Sequence, residues 1–324
     1  MSLPIQPALF LMGPTASGKS GLALALAEAL AKGGTAWAGA TLISVDSAQV
    51  YRGVDIGTAK LSRETLARWP HGLIDIIDPA ESYSAARFRD DALALVAAAR
   101  AENRVPILVG GTGLYFRALE NGLSDLPTAD AGLREQLSAQ AAAQGWPAMH
   151  AQLAVIDPEA ASKIKPNDPQ RILRALEIHA LTGRTRSAHW AEQKSAGLAG
   201  PVVKVGLLPP ERATLHAAIS ERFHQMMAAG FLEEVRRLKA RVDLHKDLPS
   251  IRAVGYRQLW EHLGGECSLI DAVEHGIIAT RQYAKRQITW LRSEPALTLI
   301  DPRASDALHI TLEHLRAAST VQAA

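Results

Sequence analysis

The segment GPTASGKS contains the first residues in the chain whose types and spacing imply chemistry. Gly13 and Gly18 bracket Pro14, Thr15, Ala16 and Ser17, with Lys19 and Ser20 behind them, which is the spacing of a loop that cradles phosphate. Glycines let the backbone turn so that successive N–H groups face phosphate oxygens, and a helix starting directly behind adds the positive end of its dipole. In this pattern Lys19 meets the outermost phosphate and the Ser20 hydroxyl is a ligand for Mg²⁺. A phosphate cradle does not say which molecule carries the phosphate, so ATP and other diphosphates stay open. The plain alternative, a chance match in a glycine turn, fits poorly with a strand before the loop and a helix after it.

Two further polar residues close apolar runs. Asp46 ends TLISVD, and in open α/β sheets ligands sit beyond the carboxyl ends of strands, so its carboxylate is expected beside the bound phosphates. There it acts as a base, holds Mg²⁺ through water, or merely caps its own turn with Ser47. Thr112 in GGTGLY follows the run VPILVGG and reaches the same cleft, or serves as the N-cap of the next helix.

Basic residues gather in three places. In NDPQRILRALE, Asp168 and Pro169 are a natural N-cap and first helical residue. Gln170, Arg171 and Arg174 then fall in the first two turns, where arginine opposes the helix dipole. IRAVGYRQ sets Arg252, Tyr256 and Arg257 around Gly255. TRQYAKRQITWLR carries four basic residues and no acidic one. On a helix, Ile277, Ala284, Ile288 and Leu291 form an apolar stripe, while Arg281, Lys285, Thr289 and Arg292 share another face, with Gln282, Gln287 and Trp290 adding polar and aromatic surface. A solvated face usually mixes its charges, so one-sided sign suggests a polyanion.

The elements that must position these residues alternate. PALFLM, TLISVD and VPILVGG read as buried parallel strands, and Ser20 to Ala31 and Ala92 to Arg100 as helices. The expected fold class is therefore α/β, a doubly wound parallel sheet with helices on both faces. From Asn121 to Gly200 only helical patterns appear, punctuated by Pro127, Pro147, Pro158, Pro166 and Pro169. Strand character returns in PVVKVGLLPP and again in ALTLID. Residues 1–120 and 201–324 are thus expected to form the core, and residues 121–200 an all-helical insertion domain.

Composition narrows the class. With 324 residues, 48% hydrophobic and 21% charged, the chain has the balance of a globular protein, and a net charge of +2 does not by itself imply nucleic acid. A single cysteine, Cys267, excludes an internal disulfide or a thiolate-rich zinc site and suits the cytoplasm, and the eleven histidines show no metal-ligand spacing. The uncharged first eighteen residues lack a basic start and are broken by prolines, so neither an export signal nor a membrane span is expected.

Taken together, GPTASGKS, SVDSAQVYRGVDIGTAK, YSAARFRDDA, LVGGTGLYFRAL, NDPQRILRALE, ERFHQMMAAGFLEEV, DLPSIRAVGYRQ and ATRQYAKRQITWLR resemble, in order, the bacterial tRNA dimethylallyltransferase (isopentenyltransferase) family. Eukaryotic relatives carry a zinc finger that one cysteine cannot build, so the likeness is to the compact bacterial type. The resemblance implies a core like that of the P-loop NTPases. It also implies transfer of a dimethylallyl group from dimethylallyl diphosphate to N6 of the adenosine 3′ of the anticodon, on a tRNA anticodon stem-loop. In that case Lys19, Ser20 and Arg222 hold the diphosphate with Mg²⁺, Asp46 accepts the N6 proton and Thr112 borders the adenine.

The tRNA contacts it implies are Asp46, Ser47, Ala48, Gln49 and Thr112, with Arg134 after LPTAD. Further contacts are Gln170, Arg171, Ile172, Leu173 and Arg174, then Arg252, Ala253, Val254, Gly255, Tyr256 and Arg257. The last group is Lys285, Arg286, Gln287, Ile288, Thr289, Trp290, Leu291 and Arg292, and the insertion clasps the stem. Two departures stand out: Arg87 where an acid is expected, read as a surface change, and Gly113 where relatives carry methionine, read as a tolerated variation. The residues alone leave two other functions open. One is a small-molecule or nucleoside kinase with ATP in the loop, and the other a nucleotide-regulated RNA-binding protein. A monomer is the default.

Overall fold

The computed structural model describes residues 5–33, 35–124, 126–192 and 196–320. Contacts divide the chain into two compact units, Met1–Glu120 with Leu198–Ala324, and Asn121–Gly197.

The first unit is built on six strands: β1 (Ala8–Met12), β2 (Ala40–Val45), β3 (His71–Gly72), β4 (Val105–Gly110), β5 (Val202–Leu207) and β6 (Leu297–Ile300). All neighbours pair in parallel, in the order β3-β2-β4-β1-β5-β6. Five of these strands match apolar runs in the sequence; β3 has two residues, too few to leave a pattern. Strand β1 is buried along its whole length because alternate residues serve opposite faces. Leu9 and Leu11 pack with α1 (Lys19–Ala31) and with α14 (Ala307–Thr320). Phe10 and Met12 join a larger core with α3 (Ala85–Ala101), α4 (Gly113–Asn121), α10 (Arg212–Ala228), α11 (Phe231–Lys239), α12 (Tyr256–Leu263) and α13 (Leu269–Leu291). A short α2 (Arg63–Arg68) precedes β3. Helix α3 starts earlier than its alanine run suggests, since the Ser84 hydroxyl accepts the Arg87 N–H at 3.1 Å and caps it.

From β1 the chain crosses towards β2, and from β4 it crosses the other way towards β5. Loops therefore leave the carboxyl ends of these adjacent strands on opposite sides of the sheet, which opens a crevice there.

The second unit holds α5 (Ala131–Gln144), α6 (Trp146–Ile156), α7 (Pro158–Lys163), α8 (Pro169–Thr182) and α9 (Arg186–Ala191), with no strand among its described residues. Pro147, Pro158 and Pro169 sit in first turns, and the side chains of Asp130, Asp157, Asp168 and Thr185 cap helix starts. Met149, Leu153, Ile172 and Ala175 form its own small core. Among the described residues of the chain, no helix is long and apolar enough to cross a membrane.

Candidate active site

A cavity of about 610 Å³ lies at the carboxyl ends of β1, β2 and β4. The phosphate loop, the turn after β2, Gly110 and Gly111 after β4, and residues of α10 and α13 line it. In the loop, Gly18 is left-handed at φ 81°, a conformation that costs a side-chain-bearing residue energy, and no side chain caps α1. The first N–H groups of α1 are thus left for a ligand.

Lys19 folds back over the loop, donating from Nζ to the Pro14 carbonyl at 2.6 Å and towards Ser17 Oγ at 3.5 Å. Burial, and then the Arg222 guanidinium, bring its pKa down to about 7, with Asp46 pulling the other way. Burial likewise lowers the pKa of Arg222, which enters from α10 and is also opposed by Asp46. Two desolvated cations beside the phosphate loop give the site the electrostatics that favour a polyanion.

Asp46 follows β2 directly. Its Oδ1 accepts the N–H of Ala48 at 2.8 Å and of Gln49 at 3.3 Å. The turn-capping role and the functional role therefore coexist, because one oxygen caps while Oδ2 forms no bond to the described protein. Ser47 N–H donates to Thr112 Oγ1 at 3.2 Å, so Thr112 ties the turns after β2 and β4 together. The Gln49 amide is fixed at both ends: Nε2 donates to the Thr58 carbonyl at 3.1 Å, and Oε1 accepts the Ser44 hydroxyl at 3.2 Å.

Two residues of α13 complete this wall. Tyr283, not singled out by sequence reading, lines the cavity beside Asp46 and interacts with Thr112 and Gln287, and burial raises its pKa. The Gln287 side chain accepts the Thr15 N–H at 2.9 Å and donates to the Gly111 carbonyl at 3.0 Å. Gln287 is therefore a buried strut between the phosphate loop and the β4 loop, and its side chain is not a surface contact. Gln287→Ala leaves both backbone groups unpaired and is expected to cost about 1–3 kcal/mol, measurable as a lower denaturation midpoint.

The remaining expected contacts separate by burial. Lys285, Arg286, Thr289 and Arg292 are exposed on α13, whereas Ile288 and Leu291 are in the core and present no side chain to RNA. Half-buried Trp290 stacks on Phe116 at 5.9 Å between centroids, with Arg117 5.9 Å above its ring and its Nε1 unpaired. It fills the space beside Gly113, where a Cβ would lie 2.3 Å from the indole. Gly113 is therefore matched to Trp290, whose indole takes the space a side chain at that position would need. Arg87 is a surface residue, lying 5.3 Å over the Tyr83 ring and 3.7 Å from Glu81.

Arg252, Ala253 and Val254 line the cavity and Arg257 is exposed, but Gly255 and Tyr256 are buried and cannot touch RNA. Within the second unit, Gln170 and Arg171 are exposed, Leu173 is half-buried and Ile172 is in the core. Arg134 and Arg174 both bind the fully buried Glu177, at 2.8 Å each, so their guanidinium groups are committed to that carboxylate. Arg134 thereby holds α5 against α8, while Arg174, on α8 itself, also donates to the Pro127 carbonyl at 2.7 Å.

Among the described residues, no cluster of three or more His, Cys, Asp or Glu side chains forms a metal cage. Ser20 and Asp46 both line the cavity, a sparse donor set that suits Mg²⁺ held mainly by phosphate oxygens.

The family model described as IPP transferase matches residues 49–294. A full-length tRNA isopentenylpyrophosphate transferase from Bacillus halodurans is 36% identical, with 98% of this chain and 100% of that one covered and a TM-score of 0.69. A tRNA delta(2)-isopentenylpyrophosphate transferase from Staphylococcus epidermidis is 30% identical over 96% and 98%, with a TM-score of 0.65. A eukaryotic dimethylallyltransferase, crystallised acting on tRNA, is 25% identical over 96% and 77%, with a TM-score of 0.77. With the match covering most of the chain and the cavity assembled at the phosphate loop, this protein belongs to the IPP transferase family.

Proposed function

We propose that the protein transfers the dimethylallyl group of dimethylallyl diphosphate to N6 of the adenosine 3′-adjacent to the anticodon in tRNA, releasing diphosphate. The observation that carries this is the meeting of Asp46, with one oxygen unbonded, and Lys19, Arg222 and the phosphate loop in one cavity. A phosphoryl transferase uses such a loop to activate phosphorus; here the carbon end is the electrophile.

The C–O bond to diphosphate breaks and its electron pair leaves with the diphosphate. Lys19 and Arg222 offset that charge, and the allyl cation is resonance-stabilised, so the transition state is loose. The N6 lone pair is delocalised into the ring and nucleophilically weak. Asp46 Oδ2 takes the N6 proton as the C–N bond forms. Ser20 would help hold Mg²⁺ on the diphosphate, where its charge would stabilise the leaving group. The adenine must leave the anticodon stack, at a cost of a few kcal/mol that is smallest in a loop. Exposed Lys285, Arg286 and Arg292 provide a basic face for RNA phosphates, and this chemistry fits a cytoplasmic enzyme.

The test is to incubate protein, Mg²⁺, dimethylallyl diphosphate and an anticodon stem-loop, then digest the RNA and weigh its nucleosides. A five-carbon adduct on adenosine is expected; no adduct, with ATP consumed instead, overturns the proposal. Lys285→Ala should weaken RNA binding and reduce the slope of log K against log salt by about 1, read from titrations at several salt concentrations.

A further inference from the structure

Glu234 on α11 does not line the cavity, yet its carboxylate is only 2% exposed and fully engaged. Oε2 accepts the N–H of Asp55 at 3.2 Å and of Ile56 at 2.8 Å. Oε1 accepts the N–H of Ile56 at 3.1 Å and of Gly57 at 3.3 Å, and the Tyr256 hydroxyl at 2.5 Å. The buried acid thus occupies a nest of three consecutive backbone N–H groups, as a bound anion would. Gly57 is pressed against the same assembly: a Cβ there would lie 2.2 Å from Phe231 and 2.5 Å from Tyr256. The segment held this way reaches the cavity directly, because Gly57, Thr58 and Ala59 form part of its lining.

From the Thr58 carbonyl the connection runs to Gln49 Nε2, and from the Gln49 N–H to Asp46 Oδ1. Gln49 has a second N–H and a second oxygen lone pair to offer, the pair of groups with which an amide reads an adenine edge.

We infer that Glu234 is a positioning residue for the transfer step, acting through the 55–58 segment to set Gln49 and Asp46 against the acceptor base. This rests on the prenyl-transfer reading of the cavity. Glu234 touches neither the phosphate loop nor the exposed face of α13, so it acts on the chemical step and leaves the binding of either substrate largely alone.

The experiment is a double-mutant cycle on the full chain, with wild type, Glu234→Gln, Gln49→Ala and the pair assayed for transfer to the stem-loop. In Glu234→Gln an NH₂ group faces backbone donors in place of an oxygen, so the nest loses its fit. Each single change is expected to lower kcat about 10²-fold, by analogy with loss of an oriented transition-state contact. In Glu234→Gln, inorganic pyrophosphate affinity and stem-loop Kd should stay within about threefold of wild type, as expected where the lost interaction is made only in the transition state. The pair should be little worse than either single variant, because both act through one connection. Multiplied losses, or a Glu234→Gln enzyme with a lower Tm but wild-type kcat, would show a purely structural acid and overturn the inference. If Glu234→Gln does not fold, Tyr256→Phe, which removes one donor, carries the same cycle with a smaller loss and the same criterion. A wild-type protein that forms no adduct would instead sink the prenyl-transfer reading, and the two failures are told apart within one assay.

Discussion

Asp46→Asn should lower the rate of transfer about 10²–10⁴-fold, the usual contribution of a positioned general base. The asparagine variant is the informative one. In the native turn Oδ1 accepts the N–H groups of Ala48 and Gln49, and an asparagine oxygen can do the same. Only the second oxygen is exchanged, for an NH₂ that donates and cannot take a proton. Stem-loop affinity measured by direct titration should therefore hold while kcat collapses. Asp46→Ala, by contrast, removes base and cap together and is expected to be less stable as well as inactive. A large loss of RNA affinity in the asparagine variant would move Asp46 from chemistry to binding.

Lys19→Met is expected to cost roughly 10²–10³-fold in transfer, as for loss of one preorganised donor to developing charge. The lysine also makes a second, less obvious claim testable. Burial brings its pKa down to about 7, so above that pH the ligand-free protein holds it largely neutral. A diphosphate favours the charged form, so binding above pH 7 must draw a proton from solution. The Kd for inorganic pyrophosphate should then weaken by up to about tenfold per pH unit as pH rises past 7, and calorimetry in buffers of different ionisation enthalpy should register proton uptake. Lys19→Met should show neither effect beyond the ligand's own titration.

The stability consequence has a definite sign. Because the folded-state value lies below the ordinary 10.5, the unfolded chain holds this proton more tightly between about pH 7 and 10.5. Stability of the ligand-free fold therefore rises with pH across that window through this group. Lys19→Met should accordingly raise the Tm of the ligand-free protein at neutral pH while lowering activity, the trade expected where a site stores charge for its ligand. An unchanged Tm with unchanged pH dependence of anion binding would mean Lys19 is not desolvated.

Much of the site was visible before any coordinates. The phosphate loop sits where its glycines, the strand before it and the helix after it required, and Asp46 lines the cavity because it closes a parallel strand, whereas Thr112 lies behind the lining and ties its turn to Ser47. Arg222 did not follow from pattern at all; it came only with the family resemblance. The α13 stripe of Ile277, Ala284, Ile288 and Leu291 was read as apolar and is buried, although Ile288 and Leu291 were also placed among the RNA contacts. Gln287, beside that stripe, was misread as surface. Helical periodicity says which side chains share a face, but not that a polar one on that face will meet an unpaired Thr15 N–H. The pairing of Arg134 with Glu177 was hidden for the same reason, since the two lie 43 residues apart and meet only after α5 packs on α8.

Composition, spacing and alternation sufficed for the α/β class, the phosphate loop, the helical insertion and the two strand-end polar residues, because each is a local property of period 2 or 3.6, or of glycine placement. Tertiary packing alone decided which basic residues stay free for RNA, which are bound to carboxylates, and how Glu234, Tyr256 and Gly57 brace the turn that carries Gln49. Those outcomes depend on contacts between segments distant along the chain, where burial removes water as a competing partner and makes every unpaired polar group find another.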